Sequence, residues 1–510
     1  MNLNQKNLSA IKTTNAAIPG VAVPAYNRNS LKSAIVHIGL GNFHRAHQAF
    51  FLDTLLEKGV TGTGIYEINL VPTGAPIGDI LKAQDYLYTL LTKSRSGQEV
   101  ARVIGSITGY TNVSQGVAEK RRLIEKIASE ETALVSLTIT EKGYCFNPAN
   151  FTLDLLHPAI VHDIAEPPDP QSAVAFLAAS LNLRAHSNKQ PLTIMSCDNF
   201  PSNGTTLKRL VRAFCERVYP ESVQWIEDNA AFPCSMVDRI TPNTTDANAG
   251  ELKEKFGIVD LWPVCSEDYI QWVLEDNFRL PPRSAFNPAD LALAGVQLVK
   301  DVEPYERMKQ RILNGSHSAL AYLSYLMGYR KVDEALGDRN VFRFVRNCYM
   351  EQAGATLPPV PGIDIAVYKD TTAGRFCNHN ISDTILRLCE DGSAKIPNFI
   401  LNPLKDAVHK GLPYSAFVFA LACWARFLAG ADEQRQPIPL NDPNAQVLSI
   451  TALKAREEPD AFLLSIGIAE LPPGAFSSLA ALFKEYVQRL YELGARRSLE
   501  QFLEDTDRKY

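Results

Sequence analysis

Residues 35–47 read IVHIGLGNFHRAH, an apolar run that meets Gly-Leu-Gly and passes straight into a helical pattern. Few folds need that junction. A dinucleotide-binding βαβ unit does: its first glycine makes the tight turn, and its second lets a pyrophosphate approach the backbone at a helix N-terminus. Gly39 and Gly41 fit those places, while His44 stands where a third glycine is usual, so helix and strand cannot pack as closely there. The expected cofactor contacts are Ile38, Gly39, Leu40, Gly41, Asn42 and Phe43, with His44 and Arg45 near the phosphates. Thr138 and Thr140, at the end of the β-rich run ALVSLTIT, complete the set. A fingerprint of this kind also expects an acidic residue about 20 positions on, to bind the ribose hydroxyls. Glu67, 26 residues beyond Gly41, is the candidate, although it lies inside the apolar strand GIYEINL rather than at its end.

Around this junction the first half alternates strands with helices. SAIVHIGLG (33–41), GIYEINL (64–70), LYTLLT (87–92), the stretch 100–110, ALVSLTIT (133–140) and LTIMSCDN (192–199) are β-rich, with helical segments such as GVAEKRRLIEKIASEE between some of them. That order implies a largely parallel sheet with helices on its faces. From about residue 300 the pattern is helical throughout. The expected architecture is therefore α/β, a Rossmann-type domain over 1–297 that includes a tail at 1–30, followed by a mainly α-helical domain over 298–510.

The remaining composition narrows the function classes. The 510 residues carry a formal net charge of −5, so no basic field invites nucleic acid. Nine cysteines form no CxxC pair, which argues against a disulfide framework or zinc ribbon and fits a reducing, cytosolic compartment. The most apolar stretch, PYSAFVFALACWARFLAG (413–430), contains Arg426 and many small residues, and reads as a buried helix rather than a membrane span.

A second cluster lies in KQRILNGSH (309–317). Its Asn-Gly pair is a turn signal, yet the apolar pattern continues on both sides. At about 100° per residue, Glu306, Lys309, Asn314 and His317 fall within an arc of roughly 140°. The chemistry that suits them is proton transfer at a secondary alcohol. A lysine takes the hydroxyl proton as hydride leaves the carbon, and fixed donors, Asn314 and His317, stabilise the developing alkoxide. Glu306, one turn from Lys309, raises the lysine's proton affinity, so burial or a positive nicotinamide has to outweigh it, or Glu306 carries the proton to water. No cysteine or second histidine cluster of zinc spacing accompanies His44 and His47, and the scheme needs no metal.

GLGNFHRAH, SLTITEKGYC, IMSCDNFPSNG, MVDRITP, QWVLEDNF and KQRILNGSH occur in the order seen in the polyol-specific long-chain dehydrogenases, whose type member is mannitol 2-dehydrogenase. The chain resembles that family from about residue 30 to beyond 480. The resemblance implies a metal-independent enzyme, often monomeric, with an N-terminal Rossmann-type domain, a helical C-terminal domain and an active site between them. It implies that Lys309 is the general base, that Asn199 and Asn314 form the oxyanion hole, that His317 orients the reacting oxygen and that Glu306 relays the proton. Asp238, Arg387 and Lys395 match substrate-binding positions, although read alone they are a strand-end residue and two surface charges.

The expected reaction is NAD(P)-linked interconversion of D-mannitol and D-fructose. VPGIDIAVYKD supports it, whereas EKGYC, FPCSMVDRI and YEINLVP look closer to fructuronate reductases. Fructuronate reduction and arabinitol 4-oxidation are the alternatives, with a non-catalytic NAD-binding regulator the remote one. The family's NAD-type acidic pair falls on Thr73 and Gly74, and no new arginine appears there to favour NADP.

Overall fold

The structure is a computed structural model, and it describes residues 1–15, 20–70, 77–113, 116–147, 150–381, 383–469, 471–472 and 474–508. Thr73 and Gly74 lie outside the described residues. The chain divides into two compact units, Met1–Glu303 and Pro304–Tyr510, just beyond the boundary expected at 297/298.

The first unit is organised by a six-stranded sheet. Its strands are β1 (Lys32–Ile38), β2 (Thr63–Asn69), β3 (Ile107–Asn112), β4 (Leu134–Leu137), β5 (Leu192–Ser196) and the short β6 (Ala230–Ala231). They lie in the order β3-β2-β1-β4-β5-β6, and every neighbouring pair is parallel. β1 is central because residues on both its faces are apolar: Val36 and Ile38 enter one core with Val135, Leu137 and Ile194, while Ile35 enters the other with Leu134, Met195, Phe51 and Leu55. Near-continuous apolar strands are what a sheet covered on both faces requires. After β1 the chain lays strands to one side, and from β4 to the other, so the ends of β1 and β4 mark the point where strand order reverses.

The β-rich stretch 100–110 proves to be two strands. Glu99–Ile104 pairs antiparallel with Tyr88–Lys93 in a second sheet, and the chain then turns at Gly105–Ser106 into β3. The expected N-terminal tail is also not a tail over its first residues. Leu3, Leu8 and Ile11 are buried with Leu87, Leu91 and Val103, and Val259 N donates to Met1 O at 2.8 Å.

The second unit is helical. The 413–430 stretch forms Ser415–Leu428, almost wholly buried among protein helices, and no helix of the described residues is long and apolar enough to cross a membrane. It packs against Gly315–Leu326 and against the long Ala475–Asp507, which breaks at Gly494.

Candidate functional site

β1 ends in a turn that only glycine can make. Gly39 has φ +111°, and a Cβ there would lie 2.1 Å from Thr138 O. Thr138 closes the contact from its own side, donating from Oγ1 to Gly39 O at 2.9 Å. Gly41 differs: a Cβ on it would meet nothing nearer than Gly39 O at 3.9 Å among the described residues. The first glycine is therefore required by the protein, and the second leaves open backbone at the start of helix α1 (Asn42–Ala46). These ends of β1 and β4, at the strand-order reversal of a parallel sheet, are where a dinucleotide is held in such folds. The donor set is chiefly backbone N–H, with the hydroxyl of the exposed Thr140 beside it, and it fits a pyrophosphate.

Side chains flanking the turn follow other rules. Ile38 and Leu40 are buried, so only their backbone can meet a ligand, whereas Asn42 and Phe43 are half-buried and Thr140 is exposed. Three expected ligand contacts are turned inward. The Arg45 guanidinium is fully buried, donating to Trp262 O and Asn42 Oδ1, each at 2.7 Å. Burial pushes it down to about 10. His44 sets Nε2 2.7 Å from the Glu67 carboxylate, with Gln48 Oε1 2.8 Å from Nδ1. Its ring stacks on His37 of β1 at 3.4 Å. An imidazole pair thus fills the space that a third glycine would have closed. His44 and Arg45, expected near the phosphates, and Glu67, expected at the ribose, are all fully buried and engaged with protein groups. Among the described residues, His37, His44 and Glu67 also form a group of potential metal ligands, but their ring nitrogens face Ser136, Thr138, Gln48 and Glu67.

The same unit holds two further expected residues. Asn199 is exposed just past the end of β5. Asp238 is buried at the end of Ser235–Asp238, opposite Gln271 of an antiparallel partner.

In the second unit the Asn-Gly pair does not break the helix. Glu303–Met308 continues through Lys309–Asn314 into Gly315–Leu326, with Lys309–Asn314 wound as a π-helix. A wheel of uniform period is therefore only approximate here, since i→i+5 bonding turns each residue less. Such segments recur at functional sites. Lys309 is 6 % exposed and Glu306 is half-buried. Asn314 is also buried, and its Nδ2 has no hydrogen-bond partner among the described residues. A buried amide donor left unpaired costs about 1–3 kcal/mol, so this one is poised for a ligand acceptor. The His317 ring lies stacked on Phe376 at 4.1 Å, which holds its plane.

Two residues unremarked in the sequence, Phe376 and Asp383, join this set. Asp383 accepts from Arg387 Nε at 2.7 Å and Nη2 at 2.5 Å. Burial favours its neutral form, but the arginine wins and holds the carboxyl below its usual range, with His317 assisting. Lys395 is pushed below the ordinary lysine range by burial and then by the charge of Arg387. The i,i+4 spacing of Asp383 and Arg387 was a readable signal; the Phe376 stack had none.

The turn, the sheet order and the lysine helix define a Rossmann-type dehydrogenase. Residues 33–283 match the Mannitol dehydrogenase Rossmann domain and residues 301–487 the Mannitol dehydrogenase C-terminal domain, so the chain belongs to the mannitol dehydrogenase family. It is 40 % identical to a mannitol 2-dehydrogenase of Phaeosphaeria nodorum over 89 % of this chain and 78 % of that protein. It is 39 % identical to one of Aspergillus fumigatus over 91 % of each. A Pseudomonas fluorescens mannitol 2-dehydrogenase, solved as a ternary complex with NAD and D-mannitol, superimposes with a TM-score of 0.86 at 36 % identity, covering 99 % of this chain and 100 % of that one. A D-sorbitol dehydrogenase in substrate-free form gives 0.82 at 29 % identity, covering 98 % and 100 %.

Proposed function

We propose that this protein is an NAD-dependent polyol dehydrogenase that interconverts D-mannitol and D-fructose, with Lys309 as general acid/base. The observation that carries the reading is the likeness, along nearly the whole chain, to a mannitol 2-dehydrogenase solved with NAD and D-mannitol. Of the expected fingerprint residues, Ile38, Gly39, Leu40, Gly41, Asn42, Phe43, Thr138 and Thr140 hold the dinucleotide, chiefly through backbone.

Bound NAD supplies the hydride acceptor. The chain's own residues do the rest. Lys309 takes the proton from the C2 hydroxyl as C2 loses hydride, and returns it in the reverse direction. Asn314 donates from its unpartnered Nδ2 to the oxygen on which charge develops, and the family resemblance adds Asn199 as the second donor. His317, its ring held flat on Phe376, fixes the lone pair that Lys309 meets. Glu306 passes the proton from Lys309 to water. Asp238, Arg387 and Lys395 bind the remaining hydroxyls. No step requires a metal, and we propose a monomeric cytosolic enzyme.

The alternative substrate, a keto-uronic acid such as fructuronate, would place a carboxylate on Arg387 or Lys395. Both Arg387 nitrogens that face Asp383 are already engaged in a bidentate pair, which favours hydroxyl groups over a further anion. Initial rates with fructose and fructuronate, each with NADH and NADPH, test the assignment. Preference for fructose with NADH is expected; preference for fructuronate would replace it.

A further inference from the structure

β5 ends at Ser196, and the chain runs on through Cys197 and Asp198 to Asn199. Asp198 is engaged in more directions than a connecting residue needs. Its Oδ2 accepts from Ile139 N at 2.8 Å and its Oδ1 from Thr140 N at 3.0 Å. Tyr144 OH donates to Oδ2 at 2.7 Å and lies 2.7 Å from Ser196 Oγ. Asp198 O in turn accepts from Asn203 Nδ2 at 3.0 Å. Although the residue keeps some surface, its carboxyl is enclosed, and burial pushes it up to about 6 against the opposing effect of Tyr144 and the two amides.

The backbone it grips is unusual. Thr140 has φ 61° and ψ 162°, a region essentially reserved for glycine and least suited to a β-branched residue. Such a conformation persists only where the surroundings over-determine it. Two charge-assisted hydrogen bonds to successive amides do that here. Two residues earlier, Thr138 locks onto the glycine turn through its hydroxyl and its carbonyl. A continuous chain of contacts therefore runs from Gly39 through Thr138 and Thr140 to Asp198, and one peptide bond separates Asp198 from Asn199.

We propose that Asp198 is a positioning residue: its carboxylate braces the strained Thr138–Thr140 segment against the glycine turn and sets the direction of Asn199, so that one side chain serves both NAD binding and oxyanion stabilisation. The oxyanion half rests on the proposed role of Asn199; the NAD half does not.

Three variants of the full chain test it: Asp198→Asn, Tyr144→Phe, and Asp198→Asn with Thr140→Gly. Each is followed by NADH titration, steady-state mannitol oxidation and thermal unfolding. Asparagine keeps the shape but turns one acceptor into a donor facing an amide. It should weaken NADH binding and lower kcat about tenfold each, with the KM for mannitol nearly unchanged. Tyr144→Phe removes one of the hydrogen bonds to the Asp198 carboxylate and should move the same two quantities by about two- to threefold. Glycine at 140 adopts the strained conformation freely, so the double variant should bind NADH more tightly than Asp198→Asn alone even without the Thr140 side chain, which a purely structural role of Asp198 would not allow. Wild-type NADH affinity and kcat in both single variants, or lowered stability with no recovery, would overturn the proposal. Should Asp198→Asn fail to fold, Tyr144→Phe decides. If the wild-type chain turns over no polyol yet binds NADH, the assigned function falls while the titrations still test the brace.

Discussion

At the glycine turn the groups offered to a ligand belong to the backbone; on the lysine helix they belong to side chains. The turn is held by sterics: Gly39 cannot carry a Cβ beside Thr138 O, and Gly41 leaves the main chain open. The helix holds its groups by burial and stacking. Lys309 and Asn314 are sunk in the π-wound segment, and His317 lies on Phe376. A dinucleotide pyrophosphate is the same in every relative and can be met by backbone. A sugar's reacting hydroxyl must be met by groups that move or share protons, which backbone cannot do.

Adding one methyl group to each glycine separates the two kinds of position. Gly39→Ala should abolish NADH binding and lower the unfolding temperature, because the positive φ alone costs about 1–3 kcal/mol before the clash with Thr138 O is counted. Gly41→Ala should fold normally and weaken NADH binding only. Equal effects of the two, measured by thermal unfolding and NADH titration, would contradict the distinction between required and open glycines.

On the side-chain half, Asn314→Ala should lower kcat by about 10²-fold with NADH affinity intact, the usual loss for one oxyanion donor. A pre-steady-state rate of hydride transfer checks it, and a change confined to KM would move Asn314 from stabilising charge to simple binding. Asp383→Asn should be milder, raising the KM for mannitol about three- to tenfold with little change in kcat, because Arg387 loses its anchor. Its folded-state pKa is depressed, so its stabilisation is present above the unfolded value and is lost as pH falls through the lower folded one. Wild-type protein should therefore lose stability below about pH 4 more steeply than the asparagine variant.

The smallest expected effect concerns Lys395. Because burial and Arg387 lower its pKa, the wild-type KM for mannitol should rise on the alkaline side earlier than an ordinary lysine would allow. Lys395→Arg, which stays charged, should flatten that rise. An unchanged KM–pH profile would remove Lys395 from the substrate contacts.

The two regions also differed in how far the sequence disclosed them. β1, the glycine turn and the alternation of strands and helices were legible because apolar runs and glycines are local signals, and the parallel sheet and helical second unit follow from them. The inward turn of His44, Arg45 and Glu67 was not. Polar residues beside a ligand turn suggest ligand contacts, and only tertiary packing shows that His37, Gln48 and Trp262 meet them first. The Lys309–Asn314–His317 side was visible as periodicity, but the π segment beneath it was not, since the shift from i→i+4 to i→i+5 bonding leaves no compositional mark. The roles of those residues came from family resemblance, because periodicity states a direction and not a chemistry. Asp198 was hidden by its neighbour: SCDN drew attention to Asn199, while the carboxylate that grips Ile139 and Thr140 had no sequence signature.

Proton transfer through Lys309 is tested by Lys309→Ala, with NADH titration and fructose reduction measured on the same preparation. NADH should bind as in the wild type, and the turnover rate should be lower by about 10²–10⁴-fold, the range for loss of a general acid/base. Turnover within a few-fold of the wild type would contradict it, because some other group would then be moving the proton.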